Sequence, residues 1–191
     1  MIKPNKICRC AWVSDDPIYI EYHDTEWGVP VYDDLTLFEL INLEGMQAGL
    51  SWLTILKKRE NYREAFAGFD AEKIARFNAR KVQQLMKNPG IIRHQLKIEA
   101  IITNAKAYLS LKNECGSLSK FLWDYVDGKP IKNKRRSIKD IPAKTELSDQ
   151  LSKDLKKRGF KFIGSTICYA FMQAVGMVDD HTIDCFRYSA R

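Results

Sequence analysis

The chain has 191 residues, 45% of them hydrophobic and 29% charged. That suits one packed domain, or two small lobes sharing a core, and excludes disorder and collagen-like structure. No apolar run approaches the ~20 residues that cross a bilayer. The first ten residues, MIKPNKICRC, lack the apolar centre of a secretory signal. The expected compartment is therefore cytoplasmic, where five unevenly spread cysteines point to metal ligation or burial rather than to disulfides. The formal net charge is +7, and residues 129–161 hold twelve basic and four acidic residues, a local +8 that leaves the rest of the chain at −1. Such asymmetry suits a polyanion partner, or else a solvated lysine-rich connection.

In chain order the punctuation reads as short helices. Asp15 and Asp16 before Pro17 supply a cap and a first-turn proline for a helix over 18–27, stopped by Gly28. Asp33 or Asp34 opens a helix over 35–46, and Ser51 opens another over 52–66, closed by Gly68. Asp70 begins the next, and 78–87 forms a further one ending before Pro89-Gly90. Leu96, Ile98, Ala100, Ile101, Ile102, Ala105, Tyr108 and Leu109 give a long helix over 93–113 its apolar positions. Ser117 starts 121–126. Residues 127–145, with two prolines, one glycine and seven Lys/Arg, read as a connection crossing the surface. Ser148 opens a helix to 158, and Ser165 opens 166–175. No alternating strand and no repeat is evident. The fold class is all-α: a single domain over 1–191, with a basic connection at about 127–147 and a helical hairpin at about 148–176.

Three constellations carry chemistry. In the hairpin, glycines at both ends of the turn 159–164 permit backbone angles that other residues resist. Ser165 begins the second helix, whose first amides point outward and can take up a phosphate oxygen. Lys156, Lys157, Arg158 and Lys161 surround it with positive charge. An ordinary bundle hairpin has the same pattern. Second, Cys10 and His23 form a Cys-x12-His pair, and His181 and Cys185 stand at i and i+4, one face of a helix. Two thiolates and two imidazoles make a closed, structural zinc site that would clip the chain's two ends together. Cys8 could ligate instead of Cys10, or all four could be buried without metal. Cys115 and Cys168 read as core, and His94 as a packing or turn residue.

Third, Leu37, Ile41 and Glu44 share one helical stripe, so a carboxyl lies on an apolar face and needs donors or a ligand to offset its desolvation. Trp12, Tyr19, Tyr22 and Trp27 crowd the N-terminal fifth, and Trp52 follows Gly45, Gly49, Leu50 and Ser51. These rings could line a slot where a planar, electron-poor ring stacks while an anionic Glu44 reads its edge. They could equally fill an aromatic core, with Glu44 bonded to backbone amides.

Long segments resemble the bacterial 3-methyladenine DNA glycosylase I family: RCAWVS at 9–14, PIYIEYHDTEWGVP at 17–30, LEGMQAGLSWLTILKKRENYR at 43–63, GIIRH at 90–94, KKRGFKFIGSTICYAFMQAVG at 156–176 and VDDH at 178–181. The resemblance implies the helix-hairpin-helix glycosylase fold, two helical lobes with the base pocket between them. It assigns a structural zinc to Cys10, His23, His181 and Cys185, with Cys8 a bystander. It places Tyr19, Tyr22, Trp52 and Trp12 around a flipped base, with Glu44 as the catalytic carboxylate. Leu50, after Gly49, would fill the gap left in the duplex, and the hairpin, with Lys161, Gly164 and Ser165, would hold the DNA backbone.

The implied activity is excision of 3-methyladenine from alkylated double-stranded DNA by hydrolysis of the N-glycosidic bond, carried out by a monomer. Ser165 and Thr166 stand where strand-cutting relatives of that fold carry a lysine, so the expected enzyme is monofunctional and leaves an abasic site. Asp179 or Asp180 stands near the position of a catalytic aspartate in the wider superfamily, or caps a helix bearing His181. Two competing readings share some of these features. One is a non-catalytic helix-hairpin-helix DNA-binding protein with a structural zinc; the other is a zinc hydrolase, which needs an open coordination position.

Overall fold

Side-chain caps set most of the helix starts. Asp16 accepts from the amide of Ile18 at the head of α1 (Pro17–Thr25), and Asp33 from that of Thr36 at the head of α2 (Asp34–Gln47). Ser51 caps α3 (Trp52–Leu56). The single helix expected over 52–66 is broken here, because α4 (Arg59–Ala65) restarts after Lys58. The Lys58 Nζ turns away to the carbonyls of Pro89 and Gly90, at 3.1 and 3.3 Å. Arg59 reaches Glu26 and Glu39, both at 2.6 Å, and ties α4 to the first two helices. Asp70, Asn78 and Ser117 cap α5 (Ala71–Ile74), α6 (Ala79–Leu85) and, beyond α7 (Gln95–Cys115), α8 (Leu118–Trp123). This computed structural model describes residues 7–188; residues 1–6, most of the stretch read above for a signal, lie outside the described residues.

The long helix departs from expectation at its start. His94 is its N-cap, with Nδ1 accepting from the Lys97 amide at 3.4 Å. Leu96 is 63% exposed rather than on the apolar stripe. At 100° per residue it falls opposite the centre of the face formed by Ile98, Ile101, Ile102 and Ala105, all of which are buried. In the hairpin, α9 (Glu146–Lys157) begins earlier than expected. Thr145 is its cap, and Ser148 is the reciprocal member of a capping box. Gly164, not Ser165, is the N-cap of α10 (Ser165–Ala174). Of the two turn glycines only Gly159 needs its freedom, at φ +91°; Gly164 sits at −61°, and Phe162 takes +53°.

At the centre lies α2, buried on every side from residue 37 to 46 and packed against α3, α7, α8 and α10. A buried amide network fixes the hairpin turn to it. The Lys161 amide donates to Asn104 Oδ1 at 2.7 Å, and Asn104 Nδ2 donates to Asn42 Oδ1 at 2.9 Å. Gly45 permits the close approach, since a Cβ there would meet the Phe162 carbonyl oxygen at 3.1 Å.

The basic connection is partly ordered by pairing. β1 (Ile131–Lys132) runs parallel to β2 (Val178–Asp179), with Ile131 opposite Val178, and Arg135 bridges to Thr182. Strands of two residues are too short for alternation to register in a sequence. The segment after β2 turns rather than coils, so His181 and Cys185 share no helical face, and Asp179 and Asp180 cap no helix. Among the described residues no helix is long and apolar enough to cross a membrane.

Candidate active site and metal cluster

Glu44 enters from the central helix into a cavity of about 230 Å³, walled by Trp12, Tyr19, Tyr22, Trp27 and Trp52. The rings pack at an angle to one another: Trp12 lies 5.0 Å from Tyr19 and 5.0 Å from Trp27, and Tyr22 lies 5.6 Å from Trp52, centroid to centroid. Gln47, Ile138, Ile141, Ala170 and Gln173 complete the lining. None of these five was legible as a site residue. Two sit in the basic connection, and the others lie on helices whose neighbours are core. The space is below the ~300–1,000 Å³ of sites for drug-sized ligands and suits a single fused ring system.

The chemistry of the lining is unusual for a core. Glu44 is 3% exposed, and its Oε2 has no hydrogen-bond partner; the indole Nε1 atoms of Trp12 and Trp52 are buried and unpartnered as well. Buried polar atoms without partners are rare in folded proteins, and three on residues lining one cavity mark a place prepared for a polar ligand. Burial lifts the Glu44 carboxyl from 4.5 to about 8, favouring the neutral acid over the expected anion near pH 7. The Tyr22 hydroxyl is likewise pushed well above its ordinary value, by burial first and then by Glu44.

Gly49 and Leu50 follow the end of α2. Gly49 takes φ +78°, and Leu50 is 41% exposed. On the hairpin, the Lys161 side chain is exposed and α10 begins without a side-chain cap, leaving its first amides for an outside acceptor. The Ser165 hydroxyl is engaged with Asp149, whose charge is offset by Lys144 at 3.0 Å.

Behind Trp12 and Trp27, Cys10, His23 and Cys185 are buried, with their ligand atoms within 4.8 Å of one another. His181 stands beside them, its ring 5.2 Å from that of His23, and its Nε2 is buried without a partner. The Nδ1 of each imidazole meets a carboxylate oxygen at 2.7 Å, of Asp24 for His23 and of Asp179 for His181. That pairing turns Nε2 of His23 toward Cys10 and Cys185, 3.4 Å from the Cys185 Sγ, and leaves Nε2 of His181 unpartnered, the usual orientation behind metal-binding histidines. Burial lowers the pKa of His23, favouring the neutral imidazole a metal needs, and pushes the Cys10 thiol up to about 12. Two thiols and an imidazole in one buried group are donors of the kind zinc takes, and the expected fourth ligand, His181, stands outside the 4.8 Å group. Cys8 is exposed, 3.7 Å from Asp184, and is not part of this group. Cys168 is buried as expected, whereas Cys115 is only partly so.

Asp179 is occupied by the amide and ring of His181. Asp180 is fully buried and accepts from Asn133 Nδ2, Arg135 Nε, Tyr169 Oη and Gln173 Nε2, at 2.8, 2.7, 2.6 and 2.7 Å. Its carboxylate is thus wholly taken up by structural donors.

A helical scaffold that holds a buried acid at the floor of an aromatic slot defines a pocket for a planar, polar ring. Residues 12–188 match the methyladenine glycosylase family, and the chain belongs to that family. It is 57% identical over 178 residues to the DNA-3-methyladenine glycosylase of Haemophilus influenzae, covering 93% of this chain and 96% of that one. A crystal structure of 3-methyladenine DNA glycosylase I superposes with a TM-score of 0.94 at 55% identity, covering 95% of this chain and 100% of the other. A second structure, described as the basis of 3-methyladenine recognition by the Staphylococcus aureus glycosylase I, superposes with a TM-score of 0.93 at 45% identity, over 96% and 97% of the two chains. The helical glycosylase fold expected from the sequence is therefore the fold observed.

Proposed function

We propose that the protein is a DNA-3-methyladenine glycosylase that takes the damaged base out of alkylated duplex DNA and hydrolyses its N-glycosidic bond, leaving an abasic site. It works as a cytoplasmic monomer. The observation that carries this reading is the buried, unpartnered Glu44 carboxyl on the floor of an aromatic cavity. The family membership and the 3-methyladenine named for the relatives supply the substrate.

Methylation at N3 makes adenine a cation, so the bond to the sugar is already weakened and the leaving base needs no proton. The protein must extrude and select the base. Stacking on Trp12, Tyr19, Tyr22 and Trp52 favours a cationic ring over a neutral one. Entry of that cation lowers the pKa of Glu44, which releases its proton and accepts hydrogen bonds from the amine edge of the base. A normal purine brings no charge to drive this ionisation, and its bond stays strong. Leu50 fills the gap in the stack. The turn between α9 and α10 acts as a helix-hairpin-helix element, binding backbone phosphate through the first amides of α10 and through Lys161. Ser165 and Thr166 offer no amine for a Schiff base, so the strand is left uncut.

A zinc ion held by Cys10, His23, His181 and Cys185 would cross-link the two ends of the chain, with no coordination position open for catalysis. The deciding experiment is incubation with methylated duplex DNA and identification of the bases released. 3-Methyladenine should appear from the parent, and much more slowly from Glu44→Gln and Glu44→Ala. Absence of that base from the parent's products rejects the reading. Equal rates in both variants reject the role of Glu44.

A further inference from the structure

The basic connection forms part of the cavity wall. Residues 131–141 run as a strap beside β2: the Ile131 amide donates to Met177 O at 2.9 Å, that of Asn133 to Asp179 O at 3.0 Å, and that of Ile183 to Arg135 O at 2.8 Å. Asp180 pins the strap from beneath through Asn133 and Arg135, while holding Tyr169 and Gln173 of α10 with its other contacts. Past that anchor the Arg136 and Ser137 amides close onto the Asp140 carboxylate, both at 2.9 Å. This turn brings Ile138 and Ile141 to the cavity, with Ile138 still 46% exposed.

The charges on this stretch are sorted. Arg135 turns inward and is taken by Asp180 at 2.7 Å. Lys134 and Arg136 flank the bridged Arg135, Arg136 at the bend that follows it, and both are exposed where Arg135 is only partly so. They and Lys139 are exposed, and none forms an ion pair among the described residues. Three cations held this close, without internal partners, at the rim of an aromatic cavity create a local field that favours a bound polyanion. Ala170 and Gln173 line the same cavity from α10, whose first turn belongs to the hairpin, so one helix joins the strap to the second phosphate-ready element.

We propose that the strap 131–141 is a DNA-binding element: Lys134, Arg136 and Lys139 take the phosphates flanking the extruded nucleotide, and Ile138 closes against the open side of the base. Its ligand rests on the glycosylase reading. The test compares the parent with Lys134→Gln/Arg136→Gln/Lys139→Gln and with Lys106→Gln/Lys112→Gln/Lys120→Gln, which removes the same charge from exposed positions on α7 and α8. Affinity for a duplex carrying a non-cleavable abasic analogue is measured across a series of salt concentrations. Each lost phosphate contact removes about 0.9 from the slope of log K against log salt, so the strap variant should lose about 2 to 3 and the comparison variant little. Binding of free 3-methyladenine should match the parent in both. A strap variant indistinguishable from the comparison variant, with the parent still excising 3-methyladenine, overturns the strap alone. A parent that releases no 3-methyladenine overturns the glycosylase reading instead.

Discussion

The Nζ of Lys97 lies 2.6 Å from the carbonyl oxygen of Ala48 and 2.8 Å from that of Met46. An ammonium only 5% exposed therefore closes the C-terminal end of α2, where carbonyls lack helical partners and the helix dipole is negative. Burial lowers the pKa of this lysine, yet no carboxylate bonds to it among the described residues. The turn bearing Gly49 and Leu50 is suspended from these two bonds and from the Leu50 amide, which donates to Gln47 O at 2.6 Å. Lys97→Met should strand both carbonyls, at roughly 1–3 kcal/mol each, and lower Tm by about 2–4 °C per kcal/mol. Excision from duplex DNA should fall further than affinity for free 3-methyladenine, because Glu44 sits deeper on the helix than the suspended turn. Thermal melts, duplex kinetics and calorimetry with the free base check this. Equal losses in the two functional readouts would reduce Lys97 to a general stabiliser.

Glu44 gives the protein a defined pH signature. Its carboxyl is lifted to about 8, against 4.5 when exposed, and burial is the cause. Between those values the folded state keeps a proton that the unfolded chain has lost. The glutamate's effect on stability therefore becomes more unfavourable as pH rises through that window, and levels off above it. Glu44→Gln, which cannot ionise, should gain stability over the parent by a few kcal/mol between pH 5 and pH 8, read from denaturant midpoints. A permanently cationic N-methylated purine should displace close to one proton on binding at pH 7, and bind more tightly as pH rises toward 8. Calorimetry in two buffers of different ionisation enthalpy counts that proton; a count of zero would contradict the ionisation step.

The metal cluster predicts one zinc per chain. Cys185→Ser or Cys10→Ser should lose it, and Cys8→Ser should retain it, because only the first two thiols lie with His23 in the buried group. A link between residues 10 and 185 closes a loop worth about 5 kcal/mol in chain-entropy terms, so chelation should lower Tm by roughly 10–20 °C. The excision rate per folded molecule should stay near that of the metal-loaded protein, because with His181 as the fourth ligand the proposed zinc would have no position left for water. Elemental analysis and melts with and without chelator decide it.

Capping residues made the helices readable, and the exceptions have local causes. Asp16, Asp33, Ser51, Asp70, Asn78 and Ser117 all cap where their chemistry says they should. Thr145 was missed because Ser148, its partner in the capping box, is an equally good cap by type. The break after Leu56 depends on Lys58 reaching a turn more than thirty residues away, which no local pattern encodes. Leu96 was legible and misread: its helical angle alone sets it apart from the buried stripe. At the site, Glu44 was visible as a charge in an apolar stripe, and the four metal-type residues by their chemistry, although the helix assumed for His181 and Cys185 is absent. Gln173 reaches the cavity from α10 with its amide held by Asp180, and Ile138 and Ile141 reach it through the strap that Asp180 and the two-residue strand pair hold, contacts with no short-range signature.

Asp180 is the point where these long-range contacts converge, and its replacement separates structure from catalysis. A carboxylate accepts all four of its donors; an asparagine has one acceptor oxygen and adds N–H groups facing other N–H groups. Asp180→Asn also removes the counter-charge 2.7 Å from Arg135. Breaking one side of a buried pair costs about 3–5 kcal/mol, so Tm should drop by roughly 6–20 °C. Freed from Asp180, the strap and the Gln173 amide lose their fixed positions, and two sides of the cavity loosen together. The kinetic loss should therefore fall mainly on KM for lesion-containing duplex, with kcat changed by less than about tenfold. A variant that melts within a few degrees of the parent, yet loses kcat a hundredfold or more, would make Asp180 a participant in bond cleavage rather than the anchor of the wall.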